Sequence, residues 1–326
     1  MKSTIKKSLL EPISDYMPRF ETVYRNTLKS NVSIINTVIT YISRRKGKQL
    51  RPALCLLSAK LCGEPSENTY KAAALIEMIH VATLIHDDVV DDSHIRRGLP
   101  SVNKVWKNKV SILVGDYMFS KALTNMIQIK DFDALEILSS TAERLSQGEI
   151  LQIEKVITKK MTEEIYFKMV SDKTASLFSA ACELGCLTVI EDVEKRKALS
   201  KFGEKFGLVF QIRDDLLDII GNVNTLGKPT AFDLKKNIQT LPLIHIFNKL
   251  SKAEALKLKL KLSYYLKFSD MNAIRQLIRD EGGIEFTERQ VQRLSNEARD
   301  DLSIFPDSIY KEALLSVMSF NEKRMR

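Results

Sequence analysis

The chain has 326 residues, a formal net charge of +9 and 44% hydrophobic residues, but only 12 Gly and 8 Pro. This length suffices for a substantial hydrophobic core in one large domain or two average ones. Because strand-like alternation is scarce and Leu, Ile, Ala, Lys and Glu are plentiful, the composition argues against a β-rich chain and predicts a mostly helical one.

The predicted elements, in chain order, are helices separated by short turns. A helix is predicted over residues 5–43 with interruptions near Pro12 and Pro18, and another over 52–61 that begins at Pro52. Further helices are predicted over residues 68–92, 112–129, 133–156, 162–187 and 192–220, with loops at 96–100 and 221–228 and peripheral helices after them. No low-complexity linker divides the chain, so a single domain over residues 1–326 is expected.

Two aspartate clusters with the same spacing lie near the ends of two of these helices, in otherwise apolar sequence. They are Asp87-Asp88-Val89-Val90-Asp91 and Asp214-Asp215-Leu216-Leu217-Asp218. The first and last aspartates of each cluster lie one turn apart on one helical face, where like charges repel. A single cluster is more often a solvated surface, but two matching clusters in apolar sequence favour a cation site. Ligation by oxygen alone indicates Mg²⁺, with Mn²⁺ as the alternative.

The net charge of +9 suits nucleic acid, an anionic membrane surface or a phosphorylated small substrate. The basic residues that stand out form short groups, and two of these groups lie close in sequence to the aspartate clusters. A diphosphate pocket therefore fits better than a nucleic-acid surface, which needs a basic face with stacking aromatic residues. The groups are Arg44-Arg45-Lys46-Gly47-Lys48, Arg96-Arg97 and Lys235-Lys236.

Four cysteines lie in apolar helical stretches, at Cys55, Cys62, Cys182 and Cys186. Metal binding by these thiols is disfavoured, because a free cysteine commonly behaves as a small buried hydrophobe. The N-terminus lacks the apolar core of a signal sequence, and no stretch of uncharged apolar residues is long enough to span a bilayer. We expect a soluble protein in the reducing cytoplasm.

Six short segments occur in an order that indicates a family. They are Gly47-Lys48-Gln49-Leu50-Arg51-Pro52, then Glu77-Met78-Ile79-His80 before the first aspartate cluster, Arg96-Arg97-Gly98 after it, Gly148-Glu149, Lys173-Thr174-Ala175-Ser176, and Phe210-Gln211-Ile212-Arg213 before the second cluster, which Gly227-Lys228 follows. Each segment alone is a weak signal. Together they make the chain resemble the trans-isoprenyl diphosphate synthases, or polyprenyl synthetases, along nearly its full length.

The resemblance implies an all-α fold, a single-domain helical bundle around a central cavity called the isoprenoid synthase fold. It also implies a prenyltransferase that adds isopentenyl diphosphate head to tail to an allylic diphosphate, farnesyl diphosphate or similar, after Mg²⁺-assisted ionisation. Metal ions and basic side chains stabilise the departing diphosphate without quenching the allylic cation. The resemblance also implies a homodimer. A peripheral contact with a membrane, through which the apolar product is released, is compatible with it. No nucleic-acid partner is expected.

In such enzymes the two aspartate clusters face each other across the cavity, and the resemblance assigns the other site residues by position. The implied metal ligands are Asp87, Asp91 and Asp214, with Asp88, Asp215 and Asp218 completing the metal side. Contacts to the allylic diphosphate fall on Arg96, Lys173 and Lys228, while Thr174 and Gln211 direct oxygen dipoles at the cation. The isopentenyl diphosphate pocket falls on Gly47, Lys48, Arg51, His80 and Arg97.

His80 alone would more often be a hydrogen-bonded core histidine than a ligand-binding one. It lies on the same helical face as Thr83 and Asp87, however, and this places it toward the expected cavity. His86 lies off that face and receives no role. The chain departs from the family at Lys46, where a Gly is usual, and at Asn237 and Ile238, where a Gly-Lys pair is usual. A second lysine contact to diphosphate is therefore missing or supplied by Lys235 or Lys236, and Asp233 is retained.

Product length in this family depends on the side chains just before the first aspartate cluster, where short-chain enzymes tend to carry Phe or Tyr. This chain has Ala82 and Thr83 there, and neither side chain can close a tunnel. We therefore expect a product of about six to eight isoprene units, the length class of quinone side chains. A shorter-chain geranylgeranyl or farnesyl diphosphate synthase is the alternative.

Three other functions compete with this interpretation. A terpene cyclase shares the helical cavity and the first cluster but normally has an Asn/Ser/Glu-type second motif, which the second cluster here does not match. A non-catalytic subunit of a heteromeric synthase tends to lack the aspartate clusters that this chain keeps. A basic helical nucleic-acid binder would bind oligonucleotides in a salt-sensitive way and release no diphosphate.

Overall fold

The structure is a computed structural model that describes residues 10–44, 47–96, 98–158, 160–221, 238–268 and 270–323. Its regular elements are almost all helical, which confirms the predicted all-α class. The helices in the first half are α1 (Met17–Thr27), α2 (Ser33–Ser43), α3 (Leu50–Cys62), α4 (Glu67–Val90), α5 (Val102–Ile127) and α6 (Phe132–Thr158). The helices that follow are α7 (Glu163–Val170), α8 (Ser176–Leu187), α9 (Val193–Ile220), α10 (Leu241–Lys249), α11 (Lys252–Lys267), α12 (Met271–Asp280), α13 (Gly283–Asp301) and α14 (Ile309–Lys323).

Two short strands, β1 (Ile95–Arg96) and β2 (Leu99–Pro100), pair antiparallel between α4 and α5. They occupy the segment that was predicted as a loop. A short 3-10 helix (Glu11–Ile13) precedes α1.

The prolines near the N-terminus lie at helix starts. Pro12 is in the first positions of the 3-10 helix and Pro18 in the first turn of α1, where a missing backbone N–H costs nothing. The prediction of helix through residues 28–32 was wrong, because α1 ends at Thr27 and α2 begins only at Ser33.

Helix α5 begins at Val102 rather than at residue 112, and its backbone breaks at Lys107, which has φ 69° and ψ 165°. The predicted helix over residues 162–187 is interrupted by a π-helical turn (Ser171–Ala175) between α7 and α8. Both irregularities leave the apolar spacing on either side intact, so the sequence pattern did not reveal them.

The described residues form two compact units, drawn from residues 1–142, 177–203 and 302–317 and from residues 143–176, 204–301 and 318–326. The expectation of a single domain therefore stays a prediction. In the first unit, α4 packs against α5, α3 and α1, and most of its length is buried. No Gly or Pro interrupts α4, and a reciprocal capping box between Ser66 and Thr69 starts it.

Helices α3 and α8 approach closely within the first unit. A Cβ added at Gly185 would collide with the carbonyl oxygen of Cys55, so this contact requires glycine. The second unit has its own apolar core, supplied by α9, α10, α11, α12 and α13. Its buried members are Leu216, Ile219, Leu243, Ile246, Leu258, Leu262, Ile274, Ile278 and Ile284.

Candidate active site

The first aspartate cluster lies at the C-terminal end of α4, in the first unit. Asp91 caps the helix, and its N–H donates to the carbonyl oxygen of Asp87 at 2.8 Å. This geometry confirms that the two residues are one helical turn apart. Asp87 is half-buried and Asp91 is exposed. Their carboxylates are therefore accessible to a ligand at the end of the helix.

The middle residue of this cluster, Asp88, is buried and forms hydrogen bonds with other residues of the chain. Arg96 donates to its Oδ1 from Nε at 2.8 Å and from Nη2 at 2.5 Å. The backbone carbonyl of Asp88 accepts from Asn103 Nδ2 at 3.0 Å and from the Ser93 N–H at 2.9 Å. A buried carboxylate needs such a charged partner, and the pair fastens β1 to the end of α4.

Two residues assigned to the isopentenyl diphosphate pocket meet in the first unit. Arg51 on α3 places Nη1 3.3 Å from Nε2 of His80 on α4. The Arg51 guanidinium also lies 4.1 Å from the ring centroid of Phe178, a fully buried residue of α8. This cation–π contact fixes the guanidinium plane. Sequence reasoning missed Phe178, although it lies two residues after the Lys173-Thr174-Ala175-Ser176 segment.

Of the other residues assigned to that pocket, the structure describes Gly47 and Lys48 but not Arg97. Gly47 and Lys48 lie just before α3, and Gln49, which caps this helix, has a left-handed backbone with φ 51°. Arg97 lies outside the described residues, as do Lys46 and Lys228. The same holds for Asp233, Lys235, Lys236 and Asn237, so the departures from the family in that segment stay predictions.

The second aspartate cluster lies near the end of α9, in the second unit. Its middle residue, Asp215, is buried, as Asp88 is in the first cluster. Tyr166 Oη donates to Asp215 Oδ2 at 2.6 Å, and Gln211 Nε2 donates to Oδ1 at 2.7 Å. Burial, together with the charges of Asp214 and Asp218, raises the pKa of Asp215 to about 6, although these two hydrogen bonds favour the carboxylate.

Thr174 joins this network from the π-helical turn. Its hydroxyl donates to Gln211 Oε1 at 3.0 Å. Because the hydroxyl proton is committed to Gln211, the lone pairs of Thr174 Oγ1 point elsewhere and can face a cation. The structure thus joins Thr174 and Gln211, the two residues assigned to cation stabilisation, by a direct hydrogen bond, and Gln211 extends the network to Asp215.

Lys173, the neighbouring residue of the turn, has two acidic or polar partners on α6. Its Nζ lies 2.6 Å from Glu149 Oε1 and 3.0 Å from Gln152 Oε1. A Cβ added at Gly148 would lie 2.6 Å from the backbone nitrogen of Lys173, so only glycine allows α6 to approach the turn this closely. The Gly148-Glu149 segment thereby obtains a structural role beside Lys173.

An ionic cluster around the buried Asp172 holds the other side of the turn. Arg144 donates from Nε to Asp172 Oδ1 at 2.9 Å, and from Nη2 to Ser171 Oγ at 2.7 Å and to Glu204 Oε1 at 2.8 Å. Lys168 Nζ lies 2.8 Å from Asp172 Oδ2. Burial raises the pKa of Asp172, but the bonds from Lys168 and Arg144 outweigh it and lower this pKa overall. Sequence reasoning missed these residues, because they come from separate helices with no shared spacing.

Ala82 and Thr83, assigned to product length, lie on α4 in the turn before Asp87. Ala82 is fully buried and Thr83 is half-buried. The hydroxyl of Thr83 donates to the His80 carbonyl at 2.9 Å, so it turns back toward its own helix. Ile76 and Ile79, which precede them on α4, are buried as well.

The fit of a divalent cation can be judged from the donor atoms. Within the part of the chain that the structure describes, no group of three or more His, Cys, Asp or Glu side chains is arranged to hold a metal ion. Each cluster exposes oxygen donors only, and Mg²⁺ is commonly bound by one or two carboxylates plus the phosphates of a substrate. The donor set therefore fits a cation that a diphosphate helps to hold. The expectation that the two clusters face each other stays a prediction.

Comparison with known proteins gives a consistent result. Residues 32–280 match the sequence profile of the polyprenyl synthetase family. The all-trans-nonaprenyl-diphosphate synthase (geranyl-diphosphate specific) of Rhodobacter capsulatus is 33% identical over 97% of this chain and 97% of its own length. The octaprenyl diphosphate synthase of Escherichia coli is 32% identical over 92% of this chain and 93% of its own.

A solved structure is similar over almost the whole chain. The polyprenyl synthase of Caulobacter crescentus, crystallised with calcium and isoprenyl diphosphate, superimposes with a TM-score of 0.89. It is 32% identical and covers 98% of each chain. The all-α fold described above is therefore the isoprenoid synthase fold.

Proposed function

The chain belongs to the polyprenyl synthetase family and is a prenyltransferase, and from this premise we propose that it is an all-trans polyprenyl diphosphate synthase. It adds isopentenyl diphosphate units head to tail to an allylic diphosphate such as farnesyl diphosphate. One observation carries the proposal: in both aspartate clusters the middle carboxylate is buried and bonded to protein groups, while the outer carboxylates lie at a helix end. The outer aspartates are less buried than the middle ones, and they are the residues that we propose to meet a ligand.

The metal of this reaction is proposed to be Mg²⁺, with Mn²⁺ able to replace it. Asp87 and Asp91 supply carboxylates from the first cluster and Asp214 from the second. When bound, the metal neutralises the charge that grows on the diphosphate as its carbon–oxygen bond breaks. The oxygen-only donor set supports a hard cation, and the solved relative from Caulobacter crescentus binds calcium with isoprenyl diphosphate.

The basic side chains are proposed to divide between two substrates. Arg96, Lys173 and Lys228 hold the allylic diphosphate, and Gly47, Lys48, Arg51, His80 and Arg97 hold isopentenyl diphosphate. Arg96 uses only part of its guanidinium on Asp88, so further N–H groups remain for a phosphate oxygen. Lys173 can exchange Glu149 for a more highly charged diphosphate. Two separate cationic pockets keep the anionic ends of both substrates apart while their carbons meet.

The allylic cation is proposed to lie beside Thr174. Because the Thr174 hydroxyl donates its proton to Gln211, its oxygen lone pairs point away from Gln211. An oxygen dipole oriented in this way stabilises a cation without bonding to it. The proton that is lost after each condensation is assigned to the departing diphosphate. No side chain is therefore needed as a base.

The product is proposed to have about six to eight isoprene units. Small side chains at Ala82 and Thr83 support this length, because neither can close the apolar tunnel where an aromatic ring would. The octaprenyl relative matches the upper end of the range, and the nonaprenyl relative lies one unit beyond it. This length class is that of quinone side chains.

Assembly and location form a further part of the proposal. We propose a homodimer, which exposed apolar residues on α5 support: Ile112, Leu113, Leu123 and Ile127. A cytoplasmic location is proposed from the four free thiols. Peripheral contact with a membrane is proposed for release of the long apolar product. Among the described residues, no helix combines the length and apolarity needed to cross a bilayer.

The test is incubation of the purified protein with labelled isopentenyl diphosphate, farnesyl diphosphate and Mg²⁺, followed by chain-length analysis. We expect all-trans products of about six to eight units, and none when the divalent cation is chelated. Products that stop at farnesyl or geranylgeranyl length would favour the shorter-chain alternative. Product formation only after a second polypeptide is added would favour a subunit of a heteromeric synthase.

A further inference from the structure

Helix α11 presents two different faces, and the proposed chemistry uses neither. Toward the second unit's core it buries Leu258 and Leu262, each only 7% exposed, with Tyr265 and Leu266 packed alongside. These positions follow the helical period and account for why the segment folds onto the core. The opposite face should then be polar if it faces only water.

That opposite face instead carries a row of apolar side chains. Leu256, Leu260, Tyr264 and Phe268 follow one another at intervals of one turn, and they are 61%, 65%, 60% and 62% exposed. The rings of Tyr264 and Phe268 lie 4.8 Å apart and extend the row to the end of the helix. Single exposed apolar side chains are common on protein surfaces, but a continuous row of them marks a contact surface.

Lysines border the row on both sides. At one hundred degrees per residue, Lys252 and Lys259 lie along one edge, and Lys257 and Lys261 lie along the other. All of them are exposed, as is Lys267. The only acidic residue of the helix before its C-terminus, Glu254, is occupied at the N-terminus, where it accepts from Ser251 N–H and Oγ. We name the row and its bordering lysines the lysine-bordered face.

We propose that the lysine-bordered face of α11 docks the protein on an anionic membrane surface. An amphipathic helix with leucine and aromatic residues between lysines lies in the plane of a lipid interface, with its apolar row among the acyl chains and its lysines at the headgroups. A protein partner fits less well, because lysine is depleted at the centres of protein interfaces. The lysine-bordered face contains none of the proposed catalytic residues. Its biological role, which would be the delivery of a long apolar product into lipid, rests on the proposed function.

The experiment is cosedimentation of the full chain with vesicles. One set contains phosphatidylcholine alone, and the other contains equal parts of phosphatidylcholine and phosphatidylglycerol. We expect the wild-type protein to sediment with the anionic vesicles, much less with the neutral ones, and progressively less as salt screens the lysines. Absence of binding to anionic vesicles would overturn the proposal, and so would equal binding to both sets.

Two variants test the two components of the face. Leu256→Gln/Leu260→Gln should weaken vesicle binding by about tenfold or more, because the apolar row no longer inserts. Lys257→Gln/Lys259→Gln/Lys261→Gln should weaken it by about fivefold for each lysine, which corresponds to about 1 kcal/mol per basic residue. Ile304→Gln/Ile309→Gln is the matched control, since it removes two similarly exposed aliphatic side chains elsewhere and should bind as the wild type does.

The outcomes separate the proposal from its competitors. If the leucine variant binds anionic vesicles as tightly as the wild type, the face is not a membrane contact. If that variant instead changes the oligomeric state in solution and leaves vesicle binding unchanged, the face contacts a second copy and the proposal fails. Condensation of soluble short substrates should be unchanged in both variants. A wild type that binds vesicles but has no prenyltransferase activity would contradict the proposed function and leave the docking surface supported.

Discussion

The middle aspartates of the two clusters share an environment that distinguishes them from their neighbours. Asp88 is buried against Arg96, and Asp215 is buried against Tyr166 and Gln211. In each case a charged or polar partner compensates for loss of water. The sequence treats the aspartates of a cluster alike, but burial divides them into carboxylates that hold the local structure and carboxylates that lie at a helix end. This division predicts different responses to the same substitution.

Asp87→Asn and Asp88→Asn are the matched pair for this division. Loss of the Asp87 charge should raise the Mg²⁺ concentration for half-maximal activity by about tenfold or more and lower turnover by roughly a hundredfold. Asp88→Asn should leave the Mg²⁺ requirement within about twofold and instead lower the free energy of unfolding by roughly 1–2 kcal/mol, since Arg96 loses its partner but stays partly exposed. Activity against Mg²⁺ concentration and urea unfolding measure the two effects.

Asp307→Ala serves as the control, because its exposed carboxylate belongs only to an ion pair with Lys311 on the protein surface. It should change neither quantity. A shifted Mg²⁺ requirement in Asp88→Asn, equal to that of Asp87→Asn, would remove the proposed distinction between the outer and middle residues.

Thr83→Phe tests the assignment of product length. A phenylalanine at this half-buried position should fill the tunnel below Asp87, so the product should shorten to farnesyl or geranylgeranyl length. Thr83→Val keeps the size of the side chain and should leave the product distribution unchanged. Both variants are compared by mass analysis of the dephosphorylated products. An unchanged distribution in Thr83→Phe would place the tunnel elsewhere.

At the scale of elements, the π-helical turn between α7 and α8 positions the candidate site residues of the second unit. A π-turn inserts one extra residue into a helix and changes the direction of its side chains, and such turns are frequent at functional sites. Here the turn directs Lys173 toward α6 and Thr174 toward α9. Arg144 bonds to Asp172 within the turn and to Glu204 on α9, and these contacts hold the turn in place.

Arg144→Met should release the turn without touching substrate. Removal of Arg144 leaves Asp172 with Lys168 as its charged partner. Loss of a partner costs about 3–5 kcal/mol in a fully buried pair and roughly 2 kcal/mol here, because Arg144 is one-third exposed. We expect lower kcat and an allylic KM raised by about fivefold, with partial rescue in Arg144→Lys. If Arg144→Met loses stability but keeps both kinetic constants, the cluster is structural only and does not position Lys173 or Thr174.

The pH dependence of this cluster follows from the lowered pKa of Asp172. A carboxyl whose folded pKa lies below its unfolded value contributes stability above the unfolded pKa of about 3.9, and this contribution is lost as pH falls through the folded value. The difference in unfolding free energy between wild type and Asp172→Asn should therefore be largest near neutral pH and shrink below about pH 4. Urea unfolding at several pH values measures it. A difference that grows on acidification would contradict the lowered pKa.

At the scale of the whole molecule, the two aspartate clusters belong to different compact units of the chain. The proposed reaction requires both clusters to bind one diphosphate through divalent cations. Mg²⁺ and inorganic diphosphate together should then raise the melting temperature by several degrees, since a ligand at a hundred times its Kd stabilises by about 2.7 kcal/mol. Either component alone should give much less.

Asp87→Asn and Asp214→Asn should each abolish this joint stabilisation, because each removes a ligand from one cluster. Thermal unfolding followed by circular dichroism measures the shift. If one variant loses the joint effect and the other retains it in full, the clusters do not act on a common diphosphate.

Exposed apolar residues on α5 lead to a prediction about assembly. Leu113 and Ile127 are 58% and 66% exposed, and a second copy would bury them. Leu113→Glu/Ile127→Glu should therefore shift the protein from dimer to monomer in sedimentation velocity. Leu256→Gln/Leu260→Gln, which changes the lysine-bordered face instead, should remain dimeric. A wild type that sediments as a monomer would contradict the proposed homodimer.

By itself, the sequence determined the helical class, the family and the position of both aspartate clusters. Helical period and motif order are local properties, so they can be read without coordinates. The starts of α3, α4 and α9 fell within a few residues of their predicted positions, because caps, prolines and uninterrupted apolar spacing mark these ends.

Only the tertiary structure decided which residues of the site serve each other. The pairing of Arg96 with Asp88, the contact of Arg51 with Phe178, and the π-helical turn that Arg144 holds all join positions without a shared period in the sequence. Their selection depends on burial, because a charge removed from water must find a partner among whatever helices the fold brings near. That proximity is a property of packing, which no local pattern in the sequence encodes.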